Sequence, residues 1–154
     1  MTFLDDERRK NERLLRYWDQ LRGERPFPSE DDLDLDELMP LWDACFVLQA
    51  RDVRQKVGYN YTYLGGTIQQ AYQRGLIPFS LKGMVSLEAS HLSEEFEQVF
   101  AQPQPLYSEG EHALPEHQIL RYRQIILPLS HGKGTVEALL GHVGFRIYRD
   151  NEAI

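Results

Sequence analysis

Val57-Gly58-Tyr59-Asn60-Tyr61-Thr62-Tyr63-Leu64-Gly65-Gly66-Thr67-Ile68-Gln69-Gln70 changes its period halfway. From Val57 to Leu64 the side chains alternate. Tyr59, Tyr61 and Tyr63 take one face and Asn60, Thr62 and Leu64 the other, the two-residue repeat of a strand. Gly65 and Gly66 stop it. Thr67-Ile68-Gln69-Gln70 then reads as the capping box of a helix that runs to about Arg74 and ends at Gly75.

Upstream, residues 43–50 form an apolar strand, joined to 57–64 by the polar hairpin segment Asp52–Lys56. Downstream, residues 76–86 are irregular, with Pro78 and Gly83. Ser93 caps the next helix and Glu94 and Glu95 suit its positive end. Leu92, Phe96, Val99 and Phe100 give that helix its buried side, and Pro103 and Pro105 close it. Three further strands cover about 105–112, 118–128 and 136–148. The segment His131-Gly132-Lys133-Gly134-Thr135 forms a hairpin turn between the last two. Two strands, short helices and three strands make an α+β fold: a five-stranded antiparallel sheet with short helices on one face.

An amphipathic helix over 5–22 precedes the sheet. Its stripe is Leu14, Leu15, Trp18 and Leu21, and Gly23 and Pro26 stop it. Such a stripe must lie on its own domain or on a second subunit. The connector 23–40 is rich in proline and acid, with Asp32 or Asp34 capping a short helix over 35–39. It lacks the central glycine of a calcium loop. The chain divides into an N-terminal helix, 1–25, and a sheet domain, 26–150.

The 154 residues carry 17 basic and 24 acidic side chains, a formal charge of −7. That balance excludes general nucleic-acid binding. The cluster Arg8, Arg9, Lys10, Arg13 and Arg16 is interleaved with Glu7 and Glu12 and reads as a solvated helix face. Cys45, the single cysteine, sits in an apolar strand as an inert buried thiol. No run of about 18 apolar residues exists to span a membrane. The first residues lack a signal-peptide core, so a cytoplasmic protein is expected.

Tyr17-Trp18, Leu21-Arg22-Gly23, Arg25-Pro26, Pro28, Asp32 and Asp34 resemble the opening of a bacterial, mainly alphaproteobacterial, PAS-like family. Leu64-x-Gly66-Thr67 and Leu127-Pro128-Leu129-Ser130 are similar to its next two motifs, in the same order. The resemblance covers about residues 11–148. Two departures stand out, Glu30 and Tyr63, where that family tends to have arginine.

The resemblance implies a stand-alone sensory or regulatory module that binds a small molecule or a protein partner in signal transduction. It also implies pairing through the N-terminal helix, which places Leu14, Leu15, Trp18 and Leu21 at a homodimer or partner interface. In that family the apolar positions of the second strand fall on the Asn60, Thr62 and Leu64 register, which sets these three on the concave face. Bare pattern instead turns the larger tyrosines inward. Buried Asn60 and Thr62 need hydrogen-bond partners, which a polar ligand or trapped water supplies. His142, alone inside the last strand between Gly141 and Val143, joins them as a residue that tunes a pocket or senses pH.

No catalytic signature is present: the sequence has no Gly-x-Ser-x-Gly elbow and no His-Glu-x-x-His. Gly132-Lys133-Gly134-Thr135 lacks phosphate-loop spacing. His112 and His117 fall short of the three or four ligands zinc takes. Cys45 lacks the helical setting of a flavin photoreceptor cysteine, and His91 reads as an exposed helix start, not a haem ligand. No cofactor and no metal are expected. Two alternatives remain. One is a small-molecule enzyme on a conical α+β fold, with Asp43 and His142 as its acid–base candidates; the other is a ligand-free interaction scaffold.

Overall fold

The computed structural model describes residues 2–53, 56–73, 90–130 and 136–149. Its five strands are β1 (Cys45–Val53), β2 (Lys56–Leu64), β3 (Leu106–Leu114), β4 (Gln118–Ser130) and β5 (Val136–Arg149). They form one sheet in the order β2-β1-β5-β4-β3, with every neighbouring pair antiparallel. The first and last strands in sequence therefore meet at the centre. The expected α+β architecture is the observed one.

Helix α1 (Phe3–Arg22) begins earlier than the sequence suggests, because Thr2 caps it: the Asp5 amide donates to Thr2 Oγ1 at 3.3 Å. Gly23, at φ 58°, ends it in the left-handed region. A connector carries a 3-10 turn (Glu30–Asp32), the short helix α2 (Leu35–Leu38) capped by Asp34, and a second 3-10 turn (Leu41–Ala44). Helices α3 (Gly66–Gln73) and α4 (Ser90–Ala101) lie between β2 and β3 in sequence. The proposed irregular segment 76–86 and the turn at 131–135 lie outside the described residues.

Strand alternation gives the sheet two apolar faces. On one, α3 and α4 bury Ile68, Phe96 and Val99 against Phe46, Leu48, Leu120, Ile126 and Leu139. On the other, α1 and the connector bury Leu14, Trp18, Leu38 and Leu41 against Val47, Ile125, Leu127, Leu129 and Leu140. Helix α1 thus shares a core with the sheet that follows it.

Ser93 lies inside α4, which begins at Ser90, and so does not cap it, and two further local expectations change. The cap of α3 is Gly65, not Thr67: the Gln69 amide donates to Gly65 O at 3.0 Å, and Gln69 Nε2 donates to Leu64 O at 2.6 Å. Position 65 packs on the Leu41–Ala44 turn so closely that a Cβ would stand 2.2 Å from the Asp43 carbonyl oxygen. Only glycine fits there, and that contact sets where the helix starts.

The second change is in β2. Tyr63 pairs with Val47 and Tyr61 with Leu48, so Thr62 sits in a bulge. One extra residue reverses the alternation. Tyr61 and Leu64 both join the α3–α4 face, while Tyr63 turns to the α1 face and stacks on Trp42 at 4.0 Å. Neither single phase for this strand holds along its length.

Candidate functional site

Four residues of α1 at helical spacing are buried: Glu7, Asn11, Leu14 and Trp18. The two C-terminal ones are apolar and lie on β4 and β5. Trp18 Nε1 donates to Pro128 O at 2.8 Å, tying the opening of the chain to the fourth strand. Pro128 is tolerated there because β3 pairing stops at Ile126, and the connector takes over beyond it, with Ser29 bridging Ser130. Tyr17 Oη accepts from the Asp34 amide at 2.8 Å, and Arg25 Nη2 reaches Asp32 at 2.8 Å. The opening motif is therefore a set of braces that hold α1 and the connector on the sheet.

Leu14 and Trp18 were expected at a subunit interface. They are instead buried on this chain's own sheet, and Leu15 packs against the same cluster. The sheet's outer face is apolar opposite them, so these three find their partner within the chain, while Leu21 stays half-buried outside that cluster.

The N-terminal half of the same stripe is polar. Glu7 is 4% exposed, Asn11 0% and His142, facing them from β5, 1%. His142 Nδ1 lies 3.9 Å from Glu7 Oε2, too far for a hydrogen bond. Neither atom has a protein hydrogen-bond partner among the described residues, nor has either polar atom of the Asn11 amide. Buried polar groups are nearly always paired, so this cluster is unusual. Glu7 Oε1 takes the Lys10 ammonium at 3.1 Å. Gly144 makes the room: a Cβ there would stand 1.8 Å from Glu7 Oε2.

A recess of about 350 Å³ opens beside this cluster, lined by Glu7, Lys10, Leu41, Asp43, His142 and Phe145 among others. It exists because β1 pairing with β5 ends at Cys45 opposite His142, leaving the β5 edge at Val143–Phe145 without that neighbour. Burial, reinforced by the Lys10 ammonium, pushes the His142 imidazole down to about 4, so the ring is neutral near pH 7. Cys45 is inert: burial pushes its thiol up to about 12, and Sγ donates to Leu41 O at 3.3 Å.

Of the three ligand residues expected from sequence, His142 lines the recess. Thr62 is exposed in the bulge, its hydroxyl donating to Glu30 Oε1 at 3.1 Å, and Gln49 Nε2 reaches Glu30 Oε2 at 2.8 Å. Thr62 thus braces the connector on the α1 side instead of facing the α3–α4 side. The side chain of Asn60 lies outside the described residues, as do those of His91 and His112, and all of His131. Asp43 and His142 do line the same recess, but Asp43 is exposed at its rim and no hydrogen bond joins the two among the described residues.

Sequence reading missed Glu7, Asn11 and Gly144. The signal was there: stepping back from Trp18 and Leu14 at helical spacing lands on Asn11 and Glu7, and Gly144 follows His142 on the same strand face.

A second polar set lies on the opposite face around the buried Gln124, whose Oε1 also lacks a hydrogen-bond partner among the described residues. Gln124 Nε2 donates to Glu95 Oε2 at 2.5 Å and Ser108 Oγ to the same oxygen at 3.1 Å.

Among the described residues no helix is long and apolar enough to cross a membrane, and no cluster of three or more His, Cys, Asp or Glu is placed to hold a metal. No curated protein matches the chain. A family model described as a PAS domain matches residues 7–144, from the buried glutamate of α1 to the glycine opposite it.

Proposed function

The chain belongs to the PAS domain family, whose members are in general sensory and regulatory modules, and from that premise we propose that it senses a small polar molecule in the recess beneath α1. The observation that carries the reading is the cluster of Glu7, Asn11 and His142, each more than nine-tenths buried and each with a polar atom lacking a protein partner. A ligand or a bound water network that satisfies those atoms would stabilise the N-terminal half of α1 on the sheet. Its departure would loosen that half first. Occupancy is thereby converted into the attachment of a surface helix, which a protein partner can read.

The bacterial branch of the family, suggested by the opening motif, belongs to the same proposal. Catalysis does not. PAS domains are in general non-catalytic, and Asp43 and His142 share no hydrogen bond that would make them an acid–base pair.

The test compares protein as purified with protein refolded from denaturant, by native mass spectrometry and hydrogen exchange. The expected result is a small-molecule mass lost on refolding, with faster exchange over residues 3–12 than over 13–22. Identical masses, together with equal exchange in both halves of α1, would overturn the sensing role.

A further inference from the structure

We infer that the free edge of β3 docks an extended segment of another protein, one with basic side chains at alternate positions, as an added strand beside Tyr107–Ala113. β3 ends the sheet: β4 pairs with one side of it, and among the described residues no backbone hydrogen bond leaves the other. A row of unpaired N–H and C=O groups is a template for pairing, which most edge strands spoil with bulges, proline or lysine. β2, the opposite edge, follows that rule with its bulge at Thr62. β3 does not. Its nine residues, Leu106–Leu114, pair with β4 without a register shift and contain no proline or lysine. Gly110, the point where such a strand is weakest, is covered by the Tyr122 ring across the ladder, where a Cβ would stand 2.9 Å from Tyr122 Oη.

Charge selects the partner. Glu109 and Glu111 are exposed, and both are held from β4. Arg123 Nε and Nη2 donate to Glu109 Oε2 at 2.9 and 2.6 Å, and Arg121 Nε and Nη2 to Glu111 Oε1 at 3.0 and 2.6 Å. Each fork uses one carboxylate oxygen, and among the described residues no hydrogen bond reaches Glu109 Oε1 or Glu111 Oε2. The two carboxylates repeat every second residue, so a basic side chain at every second position of an added strand meets both. Such a base lies one strand spacing, about 4.8 Å, from the carboxylates and two spacings from the arginines, so attraction outweighs repulsion. Tyr107, exposed beside Arg8 and Glu12, offers its ring to the stem of a lysine or arginine. The net charge of −7 adds long-range attraction for a basic partner.

A second copy is the wrong occupant. Antiparallel pairing of two β3 strands about Glu109, Gly110 or Glu111 sets like carboxylates directly opposite one another, which destabilises a strand pair. The grooves along this edge share no lining residue with the recess beneath α1, so the edge takes its partner whatever the recess holds.

The full chain is titrated with three capped octapeptides, (Lys-Val)4, (Lys-Lys-Val-Val)2 and (Glu-Val)4, with backbone amides followed by NMR and hydrogen exchange. (Lys-Val)4 should bind saturably and slow exchange at every second amide from Tyr107 to Ala113. The (Lys-Lys-Val-Val)2 peptide, equal in charge and composition but out of phase, should bind at least about fivefold more weakly, and (Glu-Val)4 should not bind. The double variant Glu109→Gln with Glu111→Gln, confined to exposed side chains, should weaken (Lys-Val)4 by about three- to tenfold. Equal affinity for the two lysine peptides, or binding without protection on β3, would overturn the added strand. So would the absence of binding by any peptide. Unchanged affinity in the double variant would overturn the basic class of partner. A doubled solution mass, with the β3 amides already protected in the free protein, would put a second copy on the edge and overturn the proposal as well.

Discussion

The two halves of α1 lie on the same sheet, yet they are held by opposite chemistry. The C-terminal half buries Leu14 and Trp18 among aliphatic residues of β4 and β5, and its one buried polar atom, Trp18 Nε1, has a carbonyl partner. The N-terminal half buries a carboxylate, an amide and an imidazole that leave one another unpaired. Burying an apolar side chain stabilises by about 1.5–3 kcal/mol, whereas a buried polar group without a partner costs about 1–3 kcal/mol. One helix therefore has a fixed end and a conditional end, and the conditional end faces the recess.

The contrast is broken most directly at its strong end. Trp18→Ala should cost about 3–5 kcal/mol of stability, read as a shift of the urea midpoint at constant slope. A loss under about 1 kcal/mol would mean that α1 is not anchored there.

Acid should act on the weak end. His142 titrates at about 4 in the folded chain against an ordinary value of 6.5. The unfolded chain binds the extra proton between those values. This contribution to stability is therefore complete above pH 6.5 and is lost as pH falls toward 4, by on the order of 3 kcal/mol. The charged groups facing the ring are Glu7 and Lys10 from α1 and Asp43 from the 3-10 turn, and the buried Cys45 pairs with it from β1. Comparing the pH dependence of stability in wild type and His142→Gln isolates this share. Parallel profiles would remove it.

Asn11→Leu should move stability the other way, up by about 1 kcal/mol, because it replaces two unpaired buried amide atoms with an apolar group of similar size. Thermal denaturation checks the sign, and a loss would show that the amide is paired in solution. The smallest effect belongs outside α1. Thr62→Val removes an exposed hydroxyl that braces Glu30 and should cost less than about 1 kcal/mol, leaving the His142 ring signals unmoved.

The braces of the opening motif explain why so much of the fold was legible. Tyr17, Trp18, Arg25, Asp32 and Asp34 act on near neighbours or on a single strand, and their types follow from local needs: caps, turns and a buried indole. The site was less legible. The family resemblance set Thr62 inward on the assumption of a regular strand, and only the pairing of β1 with β2 shows the bulge that turns it outward. Glu7 looked solvated because charge on a surface helix usually is, and Asn11 beside it drew no reading.

By itself the sequence determined the order of elements, the apolar stripe of α1 and the five-stranded sheet, because periodicity and capping are properties of neighbouring residues. Tertiary structure alone decided which polar side chains lose their water. That depends on what lies across from them, here His142 and Gly144 at the far end of the chain, and no local pattern in α1 encodes the space that a missing Cβ on β5 leaves for the carboxylate of Glu7.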